Sequence, residues 1–126
     1  MKRSPFLQPL SREHHAALVL ARACERAGRS GNADDVAATC ARALREYAAQ
    51  IEAHFDLEEQ RLLPLLQGDA GQALVRRTLA DHRALRALLD GLRQNDAAAL
   101  ARFGETLAAH VRFEERELFP ALEATM

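Results

Sequence analysis

Residues 53–66 read AHFDLEEQRLLPLL, and residues 109–122 read AHVRFEERELFPAL. Seven of the 14 aligned positions agree: Ala, His, Glu, Glu, Leu, Pro and Leu. Each copy continues an apolar stripe. Val36, Cys40, Leu44, Tyr47 and Ile51 lead into His54, Glu58 and Leu62, while Leu100, Phe103 and Leu107 lead into His110, Glu114 and Leu118. Steps of three and four place such residues on one face of an α-helix. Two further stripes are interrupted by a histidine in the same way: Leu10, His14, Ala17, Leu18, Ala21, and Val75, Leu79, His82, Leu85, Leu89, Leu92. A weaker repeat, REHHAAL (12–18) against ADHRALR (80–86), puts an acid before a histidine in both.

Four helices follow. The first is expected from about Ser11, as N-cap, to about Ala27, ended by GRSGN. The second starts near Asp34 or Asp35 and reaches about Leu63, where Pro64 ends or kinks it. The third runs from about Ala70 to Leu92, capped by Asp69, and the fourth from Asp96 to about Leu118, with Pro120 beyond. Short connections make consecutive helices antiparallel, so the fold class is all-α, an up-down-up-down antiparallel four-helix bundle. It occupies one domain, 1–126, with 1–10 as an N-terminal arm.

Composition agrees. A chain of 126 residues can bury a core unaided, and its 48% apolar content is rich in Ala and Leu, both strong helix formers. Seventeen basic and 18 acidic residues are interspersed, which argues against a nucleic-acid partner. No stretch is apolar enough for a membrane span, and the start lacks the apolar region of a signal peptide, so a cytoplasmic location is expected. Cys24 and Cys40 are too few for a disulfide framework and read as small buried hydrophobes.

The chemistry lies in the interruptions. An unpartnered buried carboxylate costs several kcal/mol or is neutralised by a pKa shift. Two inward glutamates facing four inward histidines need a compensating charge, and bound metal supplies it. The levels match: His82 stands about eleven residues before the last turn and His110 about thirteen after it, within roughly 3 Å in height. His54/Glu58 and His110/Glu114 are i,i+4 pairs that project together. Four imidazoles and two carboxylates without thiolate exceed one tetrahedral zinc and are too nitrogen-rich for calcium or magnesium. The set suits two iron ions, with manganese possible. The E-x-x-H motif of ferritin-like di-iron bundles does not occur.

The order His14, H54-F-D-L-E58, His82, H110-V-R-F-E114 resembles the hemerythrin and HHE cation-binding family across essentially the whole chain. The resemblance implies a four-helix bundle around a non-haem di-iron centre. One iron would take His14 and His54 and the other His82 and His110. Glu58, Glu114 and an oxo or hydroxo group would bridge them. An open position would receive dioxygen, nitric oxide, peroxide or azide. Oxygen-carrying members have a fifth histidine, with the third helix reading H-x-x-x-H. The positions four before and four after His82 are Thr78 and Arg86. That departure favours sensing, redox chemistry or iron handling over simple oxygen carriage.

Several residues are set outside the ligand set. His15 points about 100° round the helix from His14. Glu59 and Glu115 read as solvated or boundary charges, with support of a ligand histidine as the alternative; Glu13 and Asp81 read as surface, and Tyr47 as core, with a hydrogen bond toward the site as its alternative. The leading function is a non-haem di-iron protein that binds dioxygen, nitric oxide or a related small ligand, for sensing, storage or iron handling, with an unidentified protein partner if it signals. The alternatives are a di-iron oxidoreductase decomposing peroxide or nitric oxide, and a metal-free structural bundle.

Overall fold

A computed structural model describes residues 3–126; the first two residues of the expected N-terminal arm lie outside it. The described residues form four helical rods and no strands. The first rod is Gln8–Gly28. The second, residues 33–65, joins Ala33–Glu46, a π-turn at Tyr47–Ile51, Glu52–Leu57, a second π-turn at Glu58–Leu62 and a 3-10 turn at Leu63–Leu65. The third is Gly68–Arg93. The fourth, residues 97–123, joins Ala97–Phe113, a π-turn at Glu114–Leu118 and Phe119–Glu123. The first rod packs most extensively on the fourth; the third also packs on the fourth, and the second on the first and third, which makes a helical bundle.

Several expected boundaries move. The first rod starts at Gln8, three residues before Ser11, because Leu7 and Leu10 are drawn into the core. Ser11 is not the cap; its hydroxyl donates to Glu115 Oε2 at 2.9 Å. The N-terminal arm is therefore shorter than expected, and Arg3 ties it down through Glu123 at 2.8 Å. The second rod starts at Ala33, close to the expected Asp34 or Asp35, and Asn32 caps it by accepting the Asp35 N–H. Asp69 lies in the first turn of the third rod, where its charge suits the helix dipole, and Gln67 holds the cap position. The fourth rod does not stop before Pro120 but continues through it to Glu123.

The fourth rod starts next to Asp96, as expected, and Asp96 caps it: its carboxylate accepts the Ala98 and Ala99 N–H groups at 2.9 and 3.1 Å. Asp96→Ala should cost about 0.5–2 kcal/mol. Urea unfolding reads this as a lower midpoint with an unchanged slope; an unchanged midpoint would refute the cap.

Two apolar clusters fill the interior. One holds Leu20, Cys24, Cys40, Phe55, Leu85, Leu92, Phe103 and Leu107 among others; the second holds Leu7, Leu10, Leu62, Phe113, Leu118, Phe119 and their neighbours. Both cysteines are fully buried, and burial pushes the Cys24 thiol up to about 12, which makes it an inert core residue. On every rod a polar residue stands where one cluster gives way to the next. The bundle is thus a polar layer between two apolar plugs.

Candidate metal centre

The polar layer consists of His14, His54, Glu58, His82, His110 and Glu114, all buried; Glu58, His82 and Glu114 are 0% exposed. The structure brings all six together. His14, His54, Glu58 and Glu114 form one group whose ligand atoms lie within 4.8 Å of one another, and Glu58, His82, His110 and Glu114 form another. The two groups share both glutamates. His15 is exposed and outside the cluster.

The local backbone explains part of this convergence. The second and third π-turns begin at the two central glutamates. Leu63 N–H donates to Glu58 O, and Phe119 N–H to Glu114 O. A proline follows each of these donors, at Pro64 and Pro120. A proline inside an α-helix collides with the carbonyl four residues back, and a widened turn relieves that collision. The wide turns also coincide with consecutive glutamates that reach the same ring. Glu58 Oε1 and Glu59 Oε2 lie 2.9 and 2.6 Å from the two nitrogens of His82. Glu114 Oε1 and Glu115 Oε2 lie 2.7 and 2.6 Å from those of His14.

Every central histidine has the same orientation. Nε2 faces Glu58 or Glu114: His14 at 2.7 Å, His54 at 3.1 Å, His82 at 2.9 Å and His110 at 3.2 Å. Nδ1 faces outward to a second carboxylate: Glu115 for His14, Glu13 for His54, Glu59 for His82 and Asp81 for His110. The outer carboxylate always comes from the preceding rod, and the fourth rod serves the first, so the set closes into a ring. Glu13 and Asp81 are therefore not idle surface charges, as the sequence suggested, and Glu59 and Glu115 take the supporting role that was the alternative for them. Each accepts from an Nδ1–H, which fixes the tautomer and leaves Nε2 to face the centre. The available signal was that each adjoins a central residue in sequence, in both copies of each repeat. What concealed it is that each serves a ring on a different rod.

Tyr47 is buried, as expected, and its hydroxyl donates to Glu52. Arg86 connects Glu52 to Glu59 with two 2.9 Å contacts, so a polar chain runs from Tyr47 to His82. Thr78, at the place where a fifth histidine was sought, is fully buried and donates to Leu74 O at 2.8 Å. Arg86 points away to these glutamates. Neither adds a donor to the centre.

Electrostatics show what the layer lacks. Burial opposes a charged imidazole at His54, yet hydrogen bonds to Glu114 and Glu58 outweigh it and raise His54 to about 11. At His110, burial is likewise overcome, by the Glu114 charge and the Asp81 hydrogen bond, and the ring rises to about 10. His14 is also raised, against its burial, by Glu114 and Glu115. Burial and the charge of Glu114 push the Glu58 carboxyl up. Glu114 is held well below the usual range, its burial offset by the hydrogen bond from Glu58 and the charge of His110. Protons thus stand where positive charge is required. Even so, His110 Nε2 and Glu114 Oε2 are buried without a hydrogen-bond partner. Orphaned inward atoms, inward nitrogens and an all-imidazole, carboxylate donor set fit metal cations with nitrogen and oxygen preference.

A helical bundle with two overlapping histidine–glutamate groups in its interior is a candidate metal-binding protein. The Hemerythrin HHE cation binding domain model matches residues 6–122, and the chain belongs to this family. Searches of curated proteins and of solved structures find no match. No helix among the described residues is long and apolar enough to cross a membrane.

Proposed function

We propose that this chain holds two iron ions in a four-histidine, two-glutamate set and uses them to bind a small ligand such as dioxygen or nitric oxide. The two overlapping groups with common glutamates carry this reading: His14 and His54 would hold one ion, His82 and His110 the other, with Glu58 and Glu114 available to both. The same reading includes an up-down-up-down course of the rods. It is supported by the short connections at 29–32, 66–67 and 94–96 and by the packing of the first rod on the fourth.

When bound, the iron pair would supply electrons and an open position for a diatomic molecule. The protein's own part is to keep that position small. A cavity of ≈ 20 Å³, lined by His14, His54, His110 and Glu114 together with Ala17, Ile51, Phe55, Leu107 and Val111, adjoins the centre. Such a space holds about one water-sized molecule. Its walls are largely apolar, which favours a neutral diatomic over a large or charged substrate.

The test is iron per chain in aerobically purified protein, with visible spectra before and after azide. Two iron with azide-dependent charge-transfer bands is the expected result. No iron after iron-replete expression, or a single zinc, would end the reading.

Loading is also a proton exchange. His54 and His110 carry protons at neutral pH in the metal-free protein, and each must lose one from Nε2 to face an ion. The raised pKa values mean that protons compete below about pH 10 and progressively less above it. Affinity should therefore rise from pH 6 to pH 9, with more than one proton released per chain. Titration calorimetry in buffers of different ionisation heat measures that number; zero release would show that the rings were neutral beforehand.

A further inference from the structure

The four outer carboxylates are not held alike. Glu115 lies 3.3 Å from Arg3 and accepts from Ser11. Glu59 is 2.9 Å from Arg86, and Asp81 is 3.1 Å from Arg77. Each of these three has an arginine. Glu13 has only His54, at 2.8 Å, as hydrogen-bond or ion-pair partner among the described residues. Its exposure of 33% is close to the 31% of Glu115, so solvent access does not distinguish the two; the arginine does.

Two hollows meet at the same corner. The small cavity beside the centre is lined by Glu13 and His54 and extends past Ala17 to Glu46 and Gln50. On the other side, a surface groove between Phe6, Pro9, Leu10, Ala53 and Leu57 is also lined by Glu13 and His54. The Glu13–His54 pair is therefore a partition between them. A groove beside Glu59 reaches no histidine. The rings follow suit: His54 and His14 are 7% and 4% exposed, against 0% and 1% for His82 and His110. Phe55 stacks on His82 with ring centres 3.9 Å apart, a closer clamp than the 5.0 Å between Phe119 and His14.

We propose that Glu13 is the movable member of the carboxylate ring, a positioning residue for His54, and that the ion position of His14 and His54 exchanges with solvent ahead of that of His82 and His110. This rests on the two-ion reading above. An ion leaves when a ligating ring turns aside and water replaces it. His54 is restrained from turning by its Nδ1–H bond to Glu13. When Glu59, Asp81 or Glu115 swings out it forfeits an arginine as well as a histidine; Glu13 forfeits the histidine alone. The hollows on either side admit the water that exchange requires.

The experiment is release of ferrous iron from the reduced, fully loaded protein into an excess of a colour-forming chelator, after iron per chain has been counted. Exposed ion pairs shift equilibria by up to about fivefold, so two phases of equal size separated by roughly threefold or more are expected. Protein crystallised after the fast phase should keep its anomalous iron signal between His82 and His110. Glu13→Gln should speed the fast phase about 10–100-fold and leave the slow phase unchanged, as loss of an outer partner does to a metal ligand; Glu13→Asp should restore part of the difference. Gln50→Arg, at an exposed position lining the same cavity, adds the missing cation and should slow the fast phase. One uniform phase, residual iron between His14 and His54, or Glu13→Gln speeding both phases equally would overturn the inference and leave the two-ion reading standing. Fewer than two iron in the natural protein would overturn both.

Discussion

Glu114→Gln is expected to prevent loading of two iron and to lower the melting temperature of the metal-free protein by about 10–20 °C. Glu114 is fully buried, lies 2.7 Å from His14 Nε2 and 3.2 Å from His110 Nε2, and bears the negative charge of the metal-free centre. Removing one partner of a buried ion pair typically costs about 3–5 kcal/mol. In a domain of this size each kcal/mol moves the midpoint by about 3–5 °C. Glu58→Gln should be milder in the metal-free protein, because Glu58 is the member of the pair whose pKa is raised. Both variants should fail to hold two ions. Calorimetric melting of chelator-treated and iron-loaded samples separates the effects; a Glu114→Gln protein with two iron and an unchanged melt would refute the central role of this carboxylate.

Gly104→Val should destabilise the fold by about 3 kcal/mol and weaken the metal centre, although Gly104 is not one of the six residues in it. A Cβ at Gly104 would stand 2.5 Å from Ala21 O, 2.9 Å from Glu25 Cγ and 3.0 Å from Cys24 Cβ. The first of these is backbone and cannot rotate aside. Overpacking costs typically about 1–3 kcal/mol, and for Gly104→Ala roughly 1 kcal/mol of gained helix propensity offsets part of it. The larger side chain must push the first and fourth rods apart. Those rods carry His14, Glu114 and Glu115, whose contacts are 2.6–2.7 Å. Loss of stability would be read from urea unfolding and loss of iron from metal content. Natural-like values of both would show that the rods do not need this close approach.

The rods and the six polar residues at their centre were legible because polar groups on an otherwise apolar face violate a period, and a violation repeated on four helices is hard to produce by surface chance. Two of the outer carboxylates, Glu13 and Asp81, were not, for a geometric reason. Glu13 and Asp81 sit about 100° from the adjacent histidine, which on an isolated helix is a solvent-facing direction. Only the neighbouring rod turns that direction into a contact. The π-turns were hidden as well: their i,i+5 bonds leave no mark on apolar periodicity, and the sole trace was a proline six residues after each central glutamate. Pro120 was therefore placed beyond the end of the rod, whereas the widened turn before it lets the rod continue. Ser11 read as a cap because a hydroxyl preceded a periodic stretch; its hydroxyl was needed by Glu115.

The closed ring of outer carboxylates has a consequence for dissection. Cutting the connection at 66–67 would give one fragment with His14 and His54 and another with His82 and His110. The first fragment would have lost Glu115 behind His14, and the second Glu59 behind His82. Each would also lack the glutamate that lies closest to one of its own rings, Glu114 at His14 or Glu58 at His82. Each fragment keeps two histidines and one glutamate, an incomplete set, and each possesses what the other needs. Metal added to the mixture would act as the rivet that recruits one half to the other, and its uptake would report assembly of the two fragments.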